Sequence, residues 1–158
     1  MKDVLRVAVS VPRVSVGNVV YNEEKIAEIV KNMGQQISKG YEGKNLLLVS
    51  VLKGSLIFMA DLMRHITVPC SIDFLSVSSY GSGTSTTGEV RILKDLDASL
   101  EGKDVLVVED ILDSGVTLSY LLKNLSARNP NSIRLCTLLD KPERRRINVH
   151  ADYIGASI

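Results

Sequence analysis

Two patterns of apolar residues alternate along this chain. After Asn22, residues Ile26, Ile29, Val30, Met33 and Ile37 recur at helical spacing and stop before Gly40, which predicts an amphipathic helix with one buried face. Asn22 followed by Glu23 and Glu24 supplies its N-cap and a negatively charged first turn. LLLVSV, Leu46 to Val51, is instead short and apolar throughout, as expected of a strand covered on both faces in a parallel sheet. A turn at Lys53-Gly54 leads into a second helix, Ser55 to about His65, and then a strand from Ser71 to Ser78.

The run YGSGTSTTGE, Tyr80 to Glu89, is too polar for any core and predicts a mobile loop or flap. Asp104 to Val108 reads as the next buried strand. Thr117 to Arg128 reads as a helix with Leu118, Leu121, Leu122 and Leu125 on one face, and Ile133 to Leu139 as a further strand beyond Asn129-Pro130. Val149 to Ile158 looks like a strand with no element after it. Strand and helix alternation predicts an α/β fold, in which right-handed crossovers place ligands at the carboxyl ends of the strands. Three segments fall at such ends: Leu52-Lys53-Gly54, Glu109 to Thr117 and Asp140-Lys141-Pro142.

The length of 158 residues, 45% hydrophobic and 23% charged, suits one domain with a sizeable core and leaves no room for a second. A formal net charge of +1 lacks the basic excess of a nucleic-acid coat or membrane-surface binder. Neither of the two cysteines, Cys70 and Cys136, has a CxxC partner, and both read as reduced core residues. The opening MKDVLRVAVSVP is interrupted by Asp3 and Arg6, and no apolar run approaches a membrane span. A cytoplasmic enzyme or binding protein is the expectation.

Chemistry concentrates between Val108 and Leu118. Ser114-Gly115-Val116-Thr117 is a small-residue turn before a helix, where backbone N–H groups and the helix dipole converge on an anion such as a phosphate monoester. Taken alone, the same residues describe a plain N-cap at Ser114 or Thr117. Glu109 and Asp110 would repel a bare phosphate. They make sense if they accept from vicinal ribose hydroxyls or ligate a hard divalent cation that also touches phosphate; the plainer alternative is a solvated acidic loop. Asp113 stands apart, placed either to handle a proton, worth ~10² to 10⁴-fold in rate, or to cap a helix. No GK[ST] follows a glycine-rich run, and GSGTSTTG fails the GxGxxG spacing, so neither a P-loop ATPase nor a dinucleotide reader is supported.

VVEDILDSGVTL, Val107 to Leu118, resembles the phosphoribosyl pyrophosphate signature of type I phosphoribosyltransferases. LKGS at Leu52 to Ser55, SSYGSG at Ser78 to Gly83, ILKDLD at Ile92 to Asp97 and LLDKP at Leu138 to Pro142 are each similar to bacterial members of its hypoxanthine branch. The likeness runs from about residue 5 to the end, and separated motifs in the right order make it far more specific than the signature alone.

The resemblance implies a Rossmann-like parallel sheet flanked by helices, with a flexible flap, as a single domain over residues 1–158. It implies Mg2+-dependent transfer of a 5-phosphoribosyl group from phosphoribosyl pyrophosphate to N9 of hypoxanthine or guanine. Glu109 and Asp110 would bind the ribose hydroxyls and magnesium, and Asp113 would accept a proton facing N7 of the purine. The 5′-phosphate would lie on Asp113, Ser114, Gly115, Val116 and Thr117. Lys53 and Gly54 would contact pyrophosphate, with a cis peptide at Leu52-Lys53, and Ser79 and Tyr80 would sit on the flap. Lys141 would donate to the purine O6. Having three donors and no acceptor, a lysine there favours a 6-oxo over a 6-amino purine, although in isolation it reads as a solvated loop residue.

Family members continue past the position of Ile158 into a hood over the purine, which carries a stacking aromatic, an aspartate for magnesium and an arginine for pyrophosphate. Relative to them this chain is C-terminally short, and the expectation is a retained ribose-phosphate site with weakened purine binding. A homodimer or homotetramer is expected by analogy, with small-molecule substrates and no nucleic-acid or membrane partner. The competing readings are a transferase for xanthine or adenine and a regulatory nucleotide-binding or RNA-binding relative with little or no activity. For the latter, KPERRR at Lys141 to Arg146 is the one basic run; it reads more simply as a solvated loop, a subunit contact or part of a base pocket.

Overall fold

The structure, a computed structural model, describes residues 18–80 and 89–158. Its elements are α1 (Glu23–Gly40), β1 (Leu46–Leu52), α2 (Leu56–Met63), β2 (Cys70–Tyr80), β3 (Glu89–Lys94), β4 (Asp104–Leu112), α3 (Val116–Ser126), β5 (Ser132–Asp140), a 3-10 turn at Pro142–Arg144, and β6 (Tyr153–Ser157). The strands form one six-stranded sheet in the order β3-β2-β1-β4-β5-β6. All neighbours are parallel except β2 and β3.

Side-chain alternation explains the unbroken apolar run of β1. Leu46 and Leu48 point into a core shared with Ile29, Met33 and Ile37 of α1 and Met59 and Leu62 of α2. Leu47, Val49 and Val51 point the other way, against Leu118, Leu121 and Leu125 of α3. The chain steps from β1 to β2 in one direction and from β4 to β5 in the other. Right-handed crossovers therefore put α2 and α3 on opposite faces of the sheet. Asn22 caps α1 as expected, its Oδ1 accepting from the Lys25 N–H at 2.9 Å. Ile26 stays 37% exposed in the first turn, so the buried stripe begins one turn later than its periodicity suggests.

Several expectations need correction. Cys136 is buried, but Cys70 is exposed: it opens β2 on the same face as exposed Ile72. β3 was not predicted, and Tyr80 and Glu89, expected in the polar loop, pair with each other in the β2-β3 ladder. The rest of that loop, residues 81–88, lies outside the described residues. The ILKDLD motif ends β3 in a clasp. Buried Asp73 accepts from the Asp97 and Ala98 N–H groups at 2.9 and 3.0 Å, and Arg128 holds Asp95 through two bonds of 2.8 and 3.1 Å. The final strand is shorter than expected, Tyr153–Ser157, and pairs in parallel with β5.

The correction that matters most concerns β4, which runs four residues past the predicted end at Val108. Its pairing with β1 stops at Ser50↔Val108. Beyond that point β1 stays with β2 as far as Leu52↔Ser76, while β4 stays with β5 as far as Leu112↔Asp140. The sheet thus splits between its two central strands at their carboxyl ends. This is the point where strand order reverses, the crevice in which open α/β sheets bind ligands.

Candidate active site

The split opens a cleft of about 250 Å³ lined by Gly54, Glu109, Asp110, Asp113, Gly115 and Thr117 among the residues singled out from sequence, with Val51, Leu52, Val77, Ile111 and Leu118 as its apolar walls. Size alone does not select it. A cleft of about 580 Å³ lies between α1 and α2, lined by Ile26, Ala27 and Val30 beside Glu23, Asp61, Arg64 and His65. The smaller one has strand ends, a helix N-terminus and carboxylates converging on it, which is the better mark of a polar ligand site.

From the β1 side comes the Leu52–Lys53 peptide, which is cis, followed by exposed Lys53 and Gly54. A Cβ at Gly54 would meet the Asp110 carboxylate at 2.5 Å from its Oδ2. Only glycine lets these two segments approach so closely. Ser55 secures the turn from below, its hydroxyl donating to the Val51 carbonyl at 2.6 Å and lying 2.8 Å from that of Ser50.

From the β4 side come the carboxylates. Glu109 and Asp110 are half-buried strand residues rather than loop residues. Each bends back on the chain: Glu109 Oε1 accepts from the Asp110 N–H at 3.1 Å, and Asp110 Oδ1 from the Ile111 N–H at 2.9 Å. Burial pushes the Glu109 carboxyl up to about 9, and hydrogen bonding to Asp110 with the charges of Asp110 and Asp113 pushes the same way; the Asp110 backbone N–H opposes them. Glu109 therefore keeps its proton at neutral pH until something cationic or hydroxyl-rich arrives. Asp113 follows the strand and is exposed.

The turn after Asp113 departs from a plain N-cap. The cap of α3 is Gly115, left-handed at φ 78°, and no side chain among the described residues caps the helix. Ser114 Oγ makes only a long contact, 3.5 Å, to the Val116 N–H. The first-turn N–H groups thus remain available, the condition for anion binding at a helix N-terminus. A side chain at Gly115 would run into the carbonyl of Ile147.

The other expected residues stand at the rim. The Lys141 N–H donates to the Leu112 carbonyl at 2.9 Å, which brings the end of β5 beside that of β4, but Lys141 does not line the cleft. Ser79 and Tyr80 close β2 opposite Val90 and Glu89. Sequence reasoning missed the apolar walls and Arg145. KPERRR does not behave as one basic run: Arg144 and Arg146 are exposed, whereas Arg145 turns inward to Asp140 and the Asp113 carbonyl. Nothing in the spelling of three consecutive arginines marks the middle one.

Comparison with known proteins gives this arrangement a context. The family model described as Phosphoribosyl transferase domain matches residues 17–158. A hypoxanthine-guanine phosphoribosyltransferase of Streptococcus mutans is 51% identical over 140 residues, covering 89% of this chain and 78% of the relative. A crystal structure of a hypoxanthine phosphoribosyltransferase from Staphylococcus aureus superposes with a TM-score of 0.86 at 50% identity, over 89% of this chain and 77% of that one. A third similar structure, with a TM-score of 0.84 at 42% identity over 89% of this chain and 77% of its own, concerns the role of the C-terminal region in the oligomeric state and activity of the Trypanosoma cruzi hypoxanthine phosphoribosyl transferase.

Proposed function

From the premise that the chain belongs to the phosphoribosyltransferase family, in its hypoxanthine-guanine branch, we propose that the split-sheet cleft carries the transfer of a 5-phosphoribosyl group from phosphoribosyl pyrophosphate to N9 of hypoxanthine or guanine. The protein is a transferase of purine salvage. The match over residues 17–158 supports one phosphoribosyltransferase domain. The observation that carries the assignment of the cleft is the convergence, at one break in the sheet, of Gly54 against Asp110, an uncapped helix N-terminus at Gly115, and exposed Asp113.

Each residue then has a task set by its surroundings. The N–H groups from Ser114 to Thr117 take the 5′-phosphate, and Glu109 and Asp110 accept from the ribose hydroxyls. Lys53 and Gly54, at the facing strand end, meet the pyrophosphate. Asp113 faces N7 of the base as proton acceptor, which suits an exposed carboxylate just past the end of β4. Lys141 donates to O6, and Ser79 and Tyr80 lead into the cover that keeps water from the reacting carbon.

Two carboxylates and no third ligand suit magnesium, which keeps several waters and completes its shell with substrate oxygens. Consistent with that, no group of three or more His, Cys, Asp or Glu among the described residues is arranged to hold a metal. Glu109 and Asp110 would hold it, and the positive charge it would supply there would offset the negative charge of the pyrophosphate. Exposed Leu56 and Ile57 on α2 suit a homodimer or homotetramer. No described helix is long and apolar enough to cross a membrane, in keeping with a cytoplasmic enzyme acting on small molecules.

A spectrophotometric panel of hypoxanthine, guanine, xanthine and adenine, with and without magnesium, tests this function. Turnover of the first two, dependent on the metal, is expected. Equal use of adenine would contradict the role given to Lys141.

A further inference from the structure

The loop after β5 does more than carry Lys141. It is fastened to the turn below the cleft by three hydrogen bonds, and back to the end of β5 by a fourth, that the sequence did not suggest. The Arg146 and Ile147 N–H groups both donate to the Ser114 carbonyl, at 2.9 and 3.0 Å. Arg145 Nη1 donates to the Asp113 carbonyl at 2.8 Å, and Nη2 donates to the Asp140 carboxylate, next in sequence to Lys141. That ion pair is largely withdrawn from solvent, with 17% of the arginine and 13% of the aspartate side chain exposed.

This geometry has a direct backbone consequence. In a trans peptide the carbonyl and the following N–H point in opposite directions. Drawing the Asp113 and Ser114 carbonyls toward residues 145–147 therefore turns the Ser114 and Gly115 N–H groups away from that segment. The space on the near side of Gly115 is filled, with the Val149 Cγ2 and Arg145 Cδ positions 3.3 and 3.4 Å from where its Cβ would stand. A guanidinium suits the task because its planar fork reaches two acceptors at once in a fixed geometry, which an ammonium cannot do.

We propose that Arg145 is a positioning residue for the transfer reaction: by bridging Asp140 and the Asp113 carbonyl it locks the loop that reads the purine to the turn that reads the phosphate and bears the proton acceptor. The proposal rests on the transferase function above. Arg145 touches neither substrate in this reading. It sets the distance between two groups that do, and a misplacement of about 1 Å there costs on the order of 10²-fold in rate.

The test compares Arg145→Ala and Arg145→Lys with the parent in the full chain. For Arg145→Ala, turnover should fall about 10²-fold, while affinity for GMP, measured by calorimetry, falls less than about tenfold, because the Arg146 and Ile147 amides still hold Ser114. Arg145→Lys should recover only part of the loss. Added guanidinium at non-denaturing concentration should partly restore Arg145→Ala and leave Asp113→Asn unchanged. Turnover of Arg145→Ala within about threefold of the parent, or a loss matched by GMP affinity and melting temperature and indifferent to guanidinium, overturns the proposal.

Hydrogen exchange supplies a readout that needs no turnover. Arg145→Ala should raise exchange at the Arg146 and Ile147 amides by about tenfold or more, since they close the latch. Unchanged protection refutes the latch whether or not the parent is active. A parent that neither turns over nor binds GMP counts against the transferase function instead.

Discussion

The two halves of β4 belong to one strand and obey opposite rules. Val105 to Val108 are wholly buried, pair with β1 on one side and β5 on the other, and pack against helices on both faces. Glu109 to Leu112 keep the β5 ladder but have lost β1, and two of their four side chains are carboxylates held close together. The first half is built for stability. The second keeps the rigidity of a strand while accepting half-buried and mutually repelling acids, so that the groups proposed to bind ligand stand in fixed positions. A loop could carry the same acids but would not hold them still.

The contrast predicts that damage at one end of the strand is seen in rate and at the other in stability. The largest effect should come from Asp113→Asn, just past the second half: turnover down ~10² to 10⁴-fold, equivalent to about 3 to 5 kcal/mol of barrier, with GMP affinity and the melting temperature little changed. An unaltered rate removes Asp113 as proton acceptor.

Leu121→Ala addresses the first half. Leu121 is fully buried on α3 against Val105 and Val107, and its truncation should cost about 2 to 5 kcal/mol in urea unfolding. Per folded molecule, turnover should be nearly unchanged. A loss of rate at constant fold would show that the two halves are not separable.

The smallest effect has the opposite sign. Glu109 is raised to about 9 in the folded chain from an ordinary value near 4.5. The unfolded chain therefore releases this proton first, and stability falls as pH rises from about 4.5 to about 9. Glu109→Gln removes that dependence. Thermal melts should find the variant equal to the parent near pH 4 and increasingly more stable than the parent as pH rises toward 8, while ribose binding and turnover decline. A pH-independent difference would mean that Glu109 is not held protonated by its surroundings.

Much of this was readable before folding, for identifiable reasons. Buried strands such as Leu46 to Val51 and the stripe of α1 announce themselves because burial demands apolar side chains at set intervals, and the VVEDILDSGVTL run marks a candidate site because adjacent acids before a small-residue turn have few uses. β3 was missed since EVRILK sits between a polar loop and a charged motif and pairs only with β2. Cys70 was misplaced since a strand's spacing does not reveal how much of its length the neighbouring elements cover.

By itself the sequence determined the order of strands and helices apart from β3, the apolar faces of α1 and α3, and the residue types gathered at three strand ends. Only the tertiary structure decided that β1 and β4 part after Ser50 and Val108, that Gly54 comes to lie against Asp110, and that Arg145 rather than its two neighbours turns inward. The reason is physical. Local patterns reflect how each residue meets water and its own backbone, whereas the cleft sets Gly54 against Asp110 and its latch ties Arg145 to Asp113 across 32 residues, and such meetings depend on the packing of the whole sheet.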